Sequence, residues 1–312
     1  MIGRRKSVSF QFPSDISGGG SKPKPKPEKD VSIWTIISTG NTELLRQFIQ
    51  INGTASLNKR AGNFRSPLGL AVYLENPVLV QIMLDSNPRP DVNIIDKNGN
   101  TPLHEAVERG YLQIVKQILN TGSCNLEVKN PHSYTPLMRA VYNDYEEIAE
   151  SLITSGANIE ATGVKGRTSL FITVIESSLN CMELLLKNGC NMAVRDNHGF
   201  TILKTIFKTN SIIKAEAIKL LQKFEYDIEN DRDFLEDMVK KSRDPKDKVY
   251  AEMLLQNKSI RDACENPFTS GGWHRRNSAA TRRISVISEI SLSFVYGKQL
   301  SITEIEENHD EY

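Results

Sequence analysis

Three serines in the chain follow paired arginines, a spacing that suits phosphoryl transfer by a basophilic protein kinase. The sites are Arg4-Arg5-Lys6-Ser7, Arg275-Arg276-Asn277-Ser278 and Arg282-Arg283-Ile284-Ser285. A kinase of the cyclic-AMP-dependent type needs paired arginines to meet its own carboxylates, and a flexible segment that can enter its cleft. Phosphorylation would add about two negative charges at each site. We therefore expect Ser7, Ser278 and Ser285 to be phosphoacceptors; basic patches for solubility or nuclear import are the alternative.

The first of these sites overlaps a second short motif, Lys6-Ser7-Val8-Ser9-Phe10. It resembles the basic-x-Val-x-Phe docking motif of type-1 protein phosphatase regulatory subunits. Such a motif adds a short strand to a sheet edge, where Val8 and Phe10 would fill alternate pockets. Lys6, Val8 and Phe10 are therefore the candidate docking residues for a type-1 phosphatase. Phosphorylation of Ser7 or Ser9 would place charge in the docking strand and oppose this binding.

The sequence lacks the side-chain patterns on which most enzymes depend. The five histidines (His104, His132, His198, His274 and His309) form no cluster with metal-ligand spacing. The chain contains no Gly-x-x-x-x-Gly-Lys-Ser/Thr phosphate loop and no Gly-x-Ser-x-Gly nucleophile elbow. We therefore expect a protein that is not an enzyme and that uses no metal or other cofactor.

Charge and cysteine content argue against several other classes of protein. The 312 residues carry 39 Lys and Arg against 38 Asp and Glu, whereas a protein that coats nucleic acid needs surplus basic charge. The four cysteines, Cys124, Cys181, Cys190 and Cys264, include no C-x-x-C pair, which argues against a disulfide-stapled secreted domain. No apolar run is long enough to cross a bilayer, and no secretory signal is recognisable. We expect reduced thiols and a cytoplasmic location, with the nucleus as a second compartment.

The composition of the chain divides it into three segments. Residues 1–30 contain a triple glycine and an alternating Lys-Pro run, which make a hinge and a stiff, charged spacer. Residues 31–257 are rich in Leu, Ile and Val at helical spacing. Residues 258–312 are rich in Ser and Arg and then become acidic. Because the outer segments cannot offset the entropy of ordering, we expect two disordered tails around one folded domain.

The middle segment repeats a motif. Thr101-Pro102-Leu103-His104 has counterparts that begin at Ser66, Thr135, Thr168 and Thr201, at intervals of 35, 34, 33 and 33 residues. This tetrapeptide with a period of about 33 resembles the ankyrin repeat. The resemblance implies an all-α solenoid of stacked helix–turn–helix units with short β-hairpin fingers.

The residues at the start of the repeated motif also favour the start of a helix. Thr101 is placed to cap a helix N-terminus, and Pro102 lies at the first helical position, where its missing N–H costs nothing. One such unit cannot bury its own apolar face, so several must stack. We expect about six repeats in residues 31–229 and a degenerate seventh repeat or cap in residues 231–257.

The resemblance also implies a binding surface, made of the finger tips and the exposed positions of each first helix. Carried over onto this sequence, these positions are rich in Tyr, Arg and Lys, and Tyr and Arg carry much of the energy of protein interfaces. The candidate partner-binding residues are Arg65, Tyr73, Lys97, Asn100, Arg109, Tyr134, Tyr142, Arg167 and Phe200. The basic finger tips favour an acidic or phosphorylated protein partner.

Three functions remain open at this point. The first is a non-catalytic adaptor or scaffold that binds a protein on the concave ankyrin face and is regulated by kinase phosphorylation of its tails. The second is a targeting or inhibitory subunit of type-1 protein phosphatase. The third is an inhibitor of a transcription factor. In each case we expect a monomer that binds protein partners, does not bind nucleic acid and does not insert into a membrane.

Overall fold

A computed structural model of the chain describes residues 32–60, 65–209 and 213–256. These residues contain fourteen α-helices that follow one another in seven pairs. The helices are α1 (Ile33–Thr39), α2 (Thr42–Asn52), α3 (Pro67–Tyr73), α4 (Pro77–Leu84), α5 (Pro102–Arg109), α6 (Leu112–Leu119), α7 (Pro136–Tyr142), α8 (Glu146–Thr154), α9 (Ser169–Glu176), α10 (Leu179–Lys187), α11 (Ile202–Lys208), α12 (Lys214–Lys223), α13 (Arg232–Lys241) and α14 (Pro245–Leu255). None of them is long and apolar enough to span a bilayer.

The helices form two layers. The first helices of successive pairs, α1 to α11, pack side by side as an inner layer, and the second helices, α2 to α12, pack as an outer layer. Contacts within each pair and between neighbouring pairs bury one continuous apolar core. Stability therefore accumulates from the interfaces between neighbouring repeats. The predicted all-α stacked architecture is confirmed.

Four of the five inner helices that carry the motif begin as it predicts, and the exception is α9, where the Thr168 side chain makes no capping hydrogen bond. Thr101 Oγ1 accepts a hydrogen bond from the backbone N–H of His104 (3.3 Å), and Pro102 occupies the first turn of α5. Ser66, Thr135 and Thr201 accept the same bond in their own repeats. Each of these side chains satisfies one backbone donor that the helix itself leaves unpaired.

The fingers between repeats are tight turns, and the described residues contain no β-strand, so the expected β-hairpins do not form there. In the finger of residues 96–100, the Asp96 N–H donates to the Asn100 carbonyl (2.9 Å), and the Gly99 N–H donates to the Asp96 carbonyl. Asp96 Oδ1 also accepts the N–H groups of Asn98 and Asn100. Because the carboxylate closes the turn, one backbone pair is enough and no ladder follows.

A ladder of side-chain hydrogen bonds joins the loops that follow the outer helices. In each step an Asn or Glu accepts the backbone N–H of the equivalent loop in the next repeat. The pairs are Asn58–Asp91, Asn93–Asn125, Glu127–Asn158 and Glu160–Asn191, at 2.7–2.8 Å. Ala193 occupies the next acceptor position and has no oxygen to offer, so the ladder ends before the sixth pair.

The last pair, α13 and α14, packs on the sixth repeat through a buried carboxylate. Asp231 lies at the start of α13 and is 1% exposed. Thr201 Oγ1 lies 2.9 and 2.8 Å from its two oxygens, and the Tyr226 hydroxyl donates to Oδ2 at 2.7 Å. Lys204 Nζ lies 3.7 Å from Oδ1. One buried anion thus joins the start of α11 to the start of α13.

Candidate partner-binding groove

The face proposed for partner binding contains a groove of about 580 Å³, here called the inner groove, between the fingers of residues 130–134 and 163–167. Helices α7 and α9 line it from below. Three of the nine candidate residues, Tyr134, Tyr142 and Arg167, line this groove together. The fold thus brings aromatic and cationic side chains from two adjacent repeats around one space.

The aromatic wall of the inner groove is a tilted pair of tyrosines. The ring centroids of Tyr134 and Tyr142 lie 6.0 Å apart at an interplanar angle of 42°, within the favourable range for aromatic pairs. The Arg139 guanidinium lies 4.7 Å from the Tyr142 ring centroid. Burial raises the pKa of the Tyr134 hydroxyl, which therefore stays a hydrogen-bond donor at neutral pH.

Arg139 is held by the preceding repeat. Its Nε and Nη2 both donate to the Glu108 carboxylate on α5, a bidentate arrangement. This hydrogen bond raises the pKa of Arg139 above its ordinary value. The guanidinium therefore lies in a fixed place beside Tyr142.

The cationic rim belongs to the next finger. Lys165 is exposed at the finger tip, and its backbone carbonyl accepts the N–H of Asn197 from the following finger (2.8 Å). Arg167 Nε lies 3.5 Å from Asp196 Oδ2. Burial acts to raise the pKa of Asp196, but backbone N–H donors and Arg167 outweigh it and lower that pKa. Adjacent fingers therefore hold the rim in position.

The floor of the inner groove is apolar. Val164 is 48% exposed, Ile175 is half-buried and Ile172 is buried. Glu176 is the carboxylate among the lining residues, against three lining cations. The groove can therefore take an aliphatic side chain flanked by acidic groups.

A second cluster of candidate residues is closed on itself. The guanidinium carbons of Arg65 and Arg109 lie 3.9 and 4.3 Å from the Tyr73 ring centroid. Glu105 joins the two arginines, 2.5 Å from Arg109 Nε and 3.8 Å from Arg65 Nη2. In this cluster, here called the Arg–Tyr stack, the cations already have aromatic and anionic neighbours within the chain.

The remaining candidates do not line the inner groove. Lys97 is exposed at its finger tip, and Asn100 is half-buried with its N–H bound to the Asp96 carboxylate. Phe200 lies under the Lys208 ammonium, 3.7 Å from the ring centroid. Asp96 also lies 3.8 Å from Arg65, and the Phe200 N–H donates to Asp196, the partner of Arg167. Asn100 and Phe200 therefore adjoin the groups above without lining the inner groove. Three of the nine candidates share the inner groove.

Arg139 lines the groove but is not among the nine residues predicted from the sequence. It lies on α7 three residues before Tyr142, and residues three apart share a helix face. That spacing was the available signal.

His104 supports the groove from beneath. The Thr101 N–H points at Nδ1 (3.4 Å), so Nδ1 accepts, the ring proton lies on Nε2, and Nε2–H donates to the Tyr134 carbonyl (3.2 Å). Burial lowers the pKa of His104, which keeps the ring neutral. The imidazole thus fixes the backbone that carries Tyr134.

Several candidate sites fall outside the described residues: Ser7, Ser278, Ser285, Lys6, Val8 and Phe10. The predicted tails, residues 1–30 and 258–312, also lie outside them. Within the described ranges, no group of three or more His, Cys, Asp and Glu side chains is placed to hold a metal ion. Cys124, Cys181 and Cys190 carry free thiols, and burial raises the pKa of Cys124 to about 11.

Comparison with known proteins matches the repeats. A family model of ankyrin repeats in three copies matches residues 33–130, 68–163 and 137–232. The B-cell lymphoma 3 protein homolog of Mus musculus is 33% identical over 143 residues, which are 45% of this chain and 32% of that protein. Potassium channel AKT2/3 of Arabidopsis thaliana is 31% identical over 142 residues, 46% of this chain and 17% of the channel. The chain thus spans about a third or less of these relatives.

Solved structures agree on the fold. An ankyrin repeat domain from Acinetobacter baumannii AYE superposes with a TM-score of 0.55 at 23% identity, over 62% of this chain and 97% of that one. Another ankyrin repeat protein superposes with a TM-score of 0.55 at 18% identity, over 61% and 96%. The motif, the two helix layers and the family match over residues 33–232 together show that this chain belongs to the ankyrin-repeat family.

Proposed function

We propose that this chain is a non-catalytic adaptor whose inner groove binds an acidic, extended segment of a partner protein. The observation that supports it most is the convergence of Arg139, Lys165 and Arg167 with Tyr134 and Tyr142 around one groove. Ankyrin repeats are generally an interaction fold rather than a catalytic one. Repeat scaffolds of this kind use such extended surfaces for binding.

The chemistry of the groove favours an acidic ligand over a neutral one. Carboxylates of a bound segment would form charge-assisted hydrogen bonds with the exposed Lys165 and with Arg167, whose Nε lies 3.5 Å from Asp196 Oδ2. An aliphatic side chain between them would cover Val164 and Ile175. The preset positions of Arg139 and Tyr134 lower the entropy lost when the segment binds.

Peptide display tests this proposal even though the partner is unidentified. A phage-displayed library of random peptides is selected against the full chain, and the enriched peptides are synthesised with a fluorescent label. We expect acidic sequences with an aliphatic residue, and a loss of affinity of about tenfold or more for Lys165→Glu. Lys240→Glu on α13 is the matched control, because Lys240 is also exposed but lies far along the chain from the groove.

Two results would overturn the proposal. One is a selection without acidic enrichment. The other is a set of peptides that bind the wild type and Lys165→Glu equally, which would place binding on another surface.

Two finer functions rest on sequence motifs outside the described residues. Phosphorylation of Ser7, Ser278 and Ser285 by a basophilic kinase would regulate the adaptor in a cytoplasmic or nuclear setting. Treatment of the full chain with the catalytic subunit of cyclic-AMP-dependent kinase, followed by mass spectrometry, tests this. We expect phosphate on these serines and none after Ser→Ala changes at all three; absence of phosphate on the wild-type chain would remove this function.

The alternative function is a regulatory subunit of type-1 protein phosphatase. The Lys6-Ser7-Val8-Ser9-Phe10 motif supports it. We expect the purified phosphatase catalytic subunit to bind the full chain and to lose binding after Val8→Ala with Phe10→Ala. A phosphatase that does not bind the wild-type chain would eliminate this alternative.

A further inference from the structure

A second groove lies where the repeats meet the last helix pair. It has a volume of about 640 Å³ and is here called the cap groove. Leu203 of α11, Leu221 of α12 and Leu254 of α14 supply buried walls, and the half-buried Leu255 completes the apolar surface. The three leucine walls are at most 4% exposed, so the apolar surface that solvent reaches in the groove comes from the half-buried Leu255, Tyr226 and Ile228.

The rim of the cap groove is acidic. The loop after α12 contributes Glu225, Asp227 and Glu229. Glu229 pairs with Arg232 (2.7 Å), whereas Glu225 and Asp227 are exposed side chains. A ligand that suits this groove carries positive charge together with aliphatic side chains.

The chain itself contains such a segment. Residues 282–287 read Arg-Arg-Ile-Ser-Val-Ile, two cations followed by three aliphatic residues around one serine. We propose that residues 282–287 of the same molecule occupy the cap groove, and that phosphorylation of Ser285 releases them. In this arrangement Arg282 and Arg283 meet Glu225 and Asp227, and the aliphatic residues cover the half-buried Leu255 and Ile228.

The position of the segment in the chain makes the contact feasible. Helix α14 ends at Leu255, which is itself a wall of the groove. A random coil of 25 residues, the length of the segment from 257 to 281, has a root-mean-square span of about 25–30 Å. Such a linker gives an effective concentration of about 1 mM. A segment that binds as a free peptide with a Kd of about 100 μM would then be about 90% docked.

Phosphorylation would reverse the charge match. A protein kinase transfers the γ-phosphoryl group of ATP to the Ser285 Oγ; ADP leaves and the hydroxyl proton is released. The new group carries about two negative charges, close to Glu225 and Asp227 and next to apolar walls. Repulsion and desolvation both oppose docking, so the segment is released. The release step rests on the proposed phosphorylation of Ser285, whereas docking in the cap groove does not.

Hydrogen exchange on the full chain tests the proposal. Exchange of amides in residues 219–229 and 250–256 is followed by mass spectrometry for the wild type and for Arg282→Glu with Arg283→Glu. We expect exchange in these residues to rise about fivefold or more in the variant. Arg275→Glu with Arg276→Glu is the matched control, because it changes charge equally in the other paired-arginine motif.

A charge swap and a free peptide provide a second line of evidence. We expect Glu225→Lys and Arg283→Glu each to raise exchange, and their combination to restore protection. A labelled peptide of residues 280–290 should bind the Arg282→Glu, Arg283→Glu chain, and its Ser285 phosphorylated form should bind about tenfold more weakly.

Three outcomes would overturn the proposal. The first is equal exchange in the wild type and the Arg282/Arg283 variant. The second is an equal response to the Arg275/Arg276 control, which would indicate a nonspecific effect of charge. The third is protection that grows with protein concentration, which would assign the groove to a second copy of the chain.

Discussion

The inner groove and the cap groove are similar in volume, about 580 and 640 Å³, and opposite in charge. The first is aromatic and basic, and its walls come from equivalent positions of two repeats. The second is aliphatic and acidic, and it lies where the repeat pattern stops. A regular repeat therefore places its variable side chains around a shared groove, whereas the end of the solenoid leaves a few half-buried apolar side chains, among them Leu255 and Ile228, beside exposed carboxylates.

The two grooves also differ in the interactions that stabilise them. Finger-to-finger hydrogen bonds and the Glu108–Arg139 pair hold the inner groove. The cap groove depends on the buried Asp231, on the Lys214–Asp247 ion pair (2.7 Å) and on the Phe207–Phe234 ring contact. It lies beyond the last step of the loop ladder. We therefore expect the two grooves to respond to different substitutions.

The largest expected effect is on the cap. Asp231→Ala would leave the buried Thr201 hydroxyl and the half-buried Tyr226 hydroxyl without their acceptor, and should lower the free energy of unfolding by about 3 kcal/mol. Hydrogen exchange should rise in residues 213–256 and stay unchanged in residues 130–176. Urea denaturation and exchange mass spectrometry measure both.

Asp233→Ala is the control for this change, since Asp233 is an exposed carboxylate on the same helix. It should cost less than about 0.5 kcal/mol. Equal losses for the two variants would show that the Asp231 network does not hold the cap.

The second prediction compares two tyrosines, one expected to contribute to peptide binding and the other to the stability of the fold. Tyr73 and Tyr142 are 38% and 36% exposed, so exposure alone does not distinguish them. Tyr142→Ala should lower the affinity for a selected acidic peptide by about 30-fold, near 2 kcal/mol, because it removes a wall of the groove. Tyr73→Ala should leave peptide binding within about twofold and lower the free energy of unfolding by about 1–2 kcal/mol, because two cation–π contacts are lost. Fluorescence anisotropy and urea denaturation check the pair, and a larger binding loss for Tyr73→Ala would contradict it.

The repeat register predicted the exposed position of Tyr142 in the inner groove, but not which side chains pair there. The position of Tyr142 in its repeat indicated an exposed site on a first helix, and the structure places it there. Whether the charged residues around such a tyrosine close the site or leave a groove open depends on which side chains pair with one another. Glu105 draws Arg65 and Arg109 together against Tyr73, whereas the position equivalent to Glu105 in the next repeat is Arg139, which reaches back to Glu108 and leaves the groove open.

The cap groove could not be predicted in this way. No Thr-Pro motif follows residue 229, so no repeat register assigns the residues of α13 and α14 to the core or the surface. Asp231 would be assigned to the solvent on its residue type, yet it is buried, because Thr201 and Tyr226 supply its hydrogen bonds. The expected β-hairpins failed for a similar reason, since a side-chain acceptor closed the turn.

A smaller effect tests finger stacking beside the inner groove. Gly166 and Gly199 both have positive φ, +68° and +74°, but an added Cβ would overlap Asn197 Oδ1 at Gly166 and meets nothing within 4 Å at Gly199. Both Gly→Ala changes should cost about 1 kcal/mol from the left-handed backbone. Gly166→Ala should cost less than about 1 kcal/mol more, because the exposed Asn197 side chain must turn away from the new Cβ. Urea denaturation of the two variants gives the difference, and equal losses would mean that the Asn197 side chain adds no stability at this finger.

The smallest effect is a gain at the junction of the two regions. Asn93, Glu127 and Glu160 each accept the backbone N–H of the next loop, and Ala193 interrupts this series before Asp227. Ala193→Asn should restore the acceptor and raise the free energy of unfolding by about 0.5–1 kcal/mol. Ala193→Leu, of similar size but without an acceptor, should give no gain.

The outcome at residue 193 also decides why the ladder stops. The existing steps span 31 to 33 residues, whereas Ala193 and Asp227 are 34 apart because the sixth repeat is longer. A gain for Ala193→Asn, with slower exchange in residues 225–229, means that a missing oxygen alone separates the regular repeats from the cap. An unchanged stability means that the longer sixth repeat has moved the Asp227 N–H out of reach. In that case the break between the regular repeats and the cap results from the length of the sixth repeat rather than from residue 193.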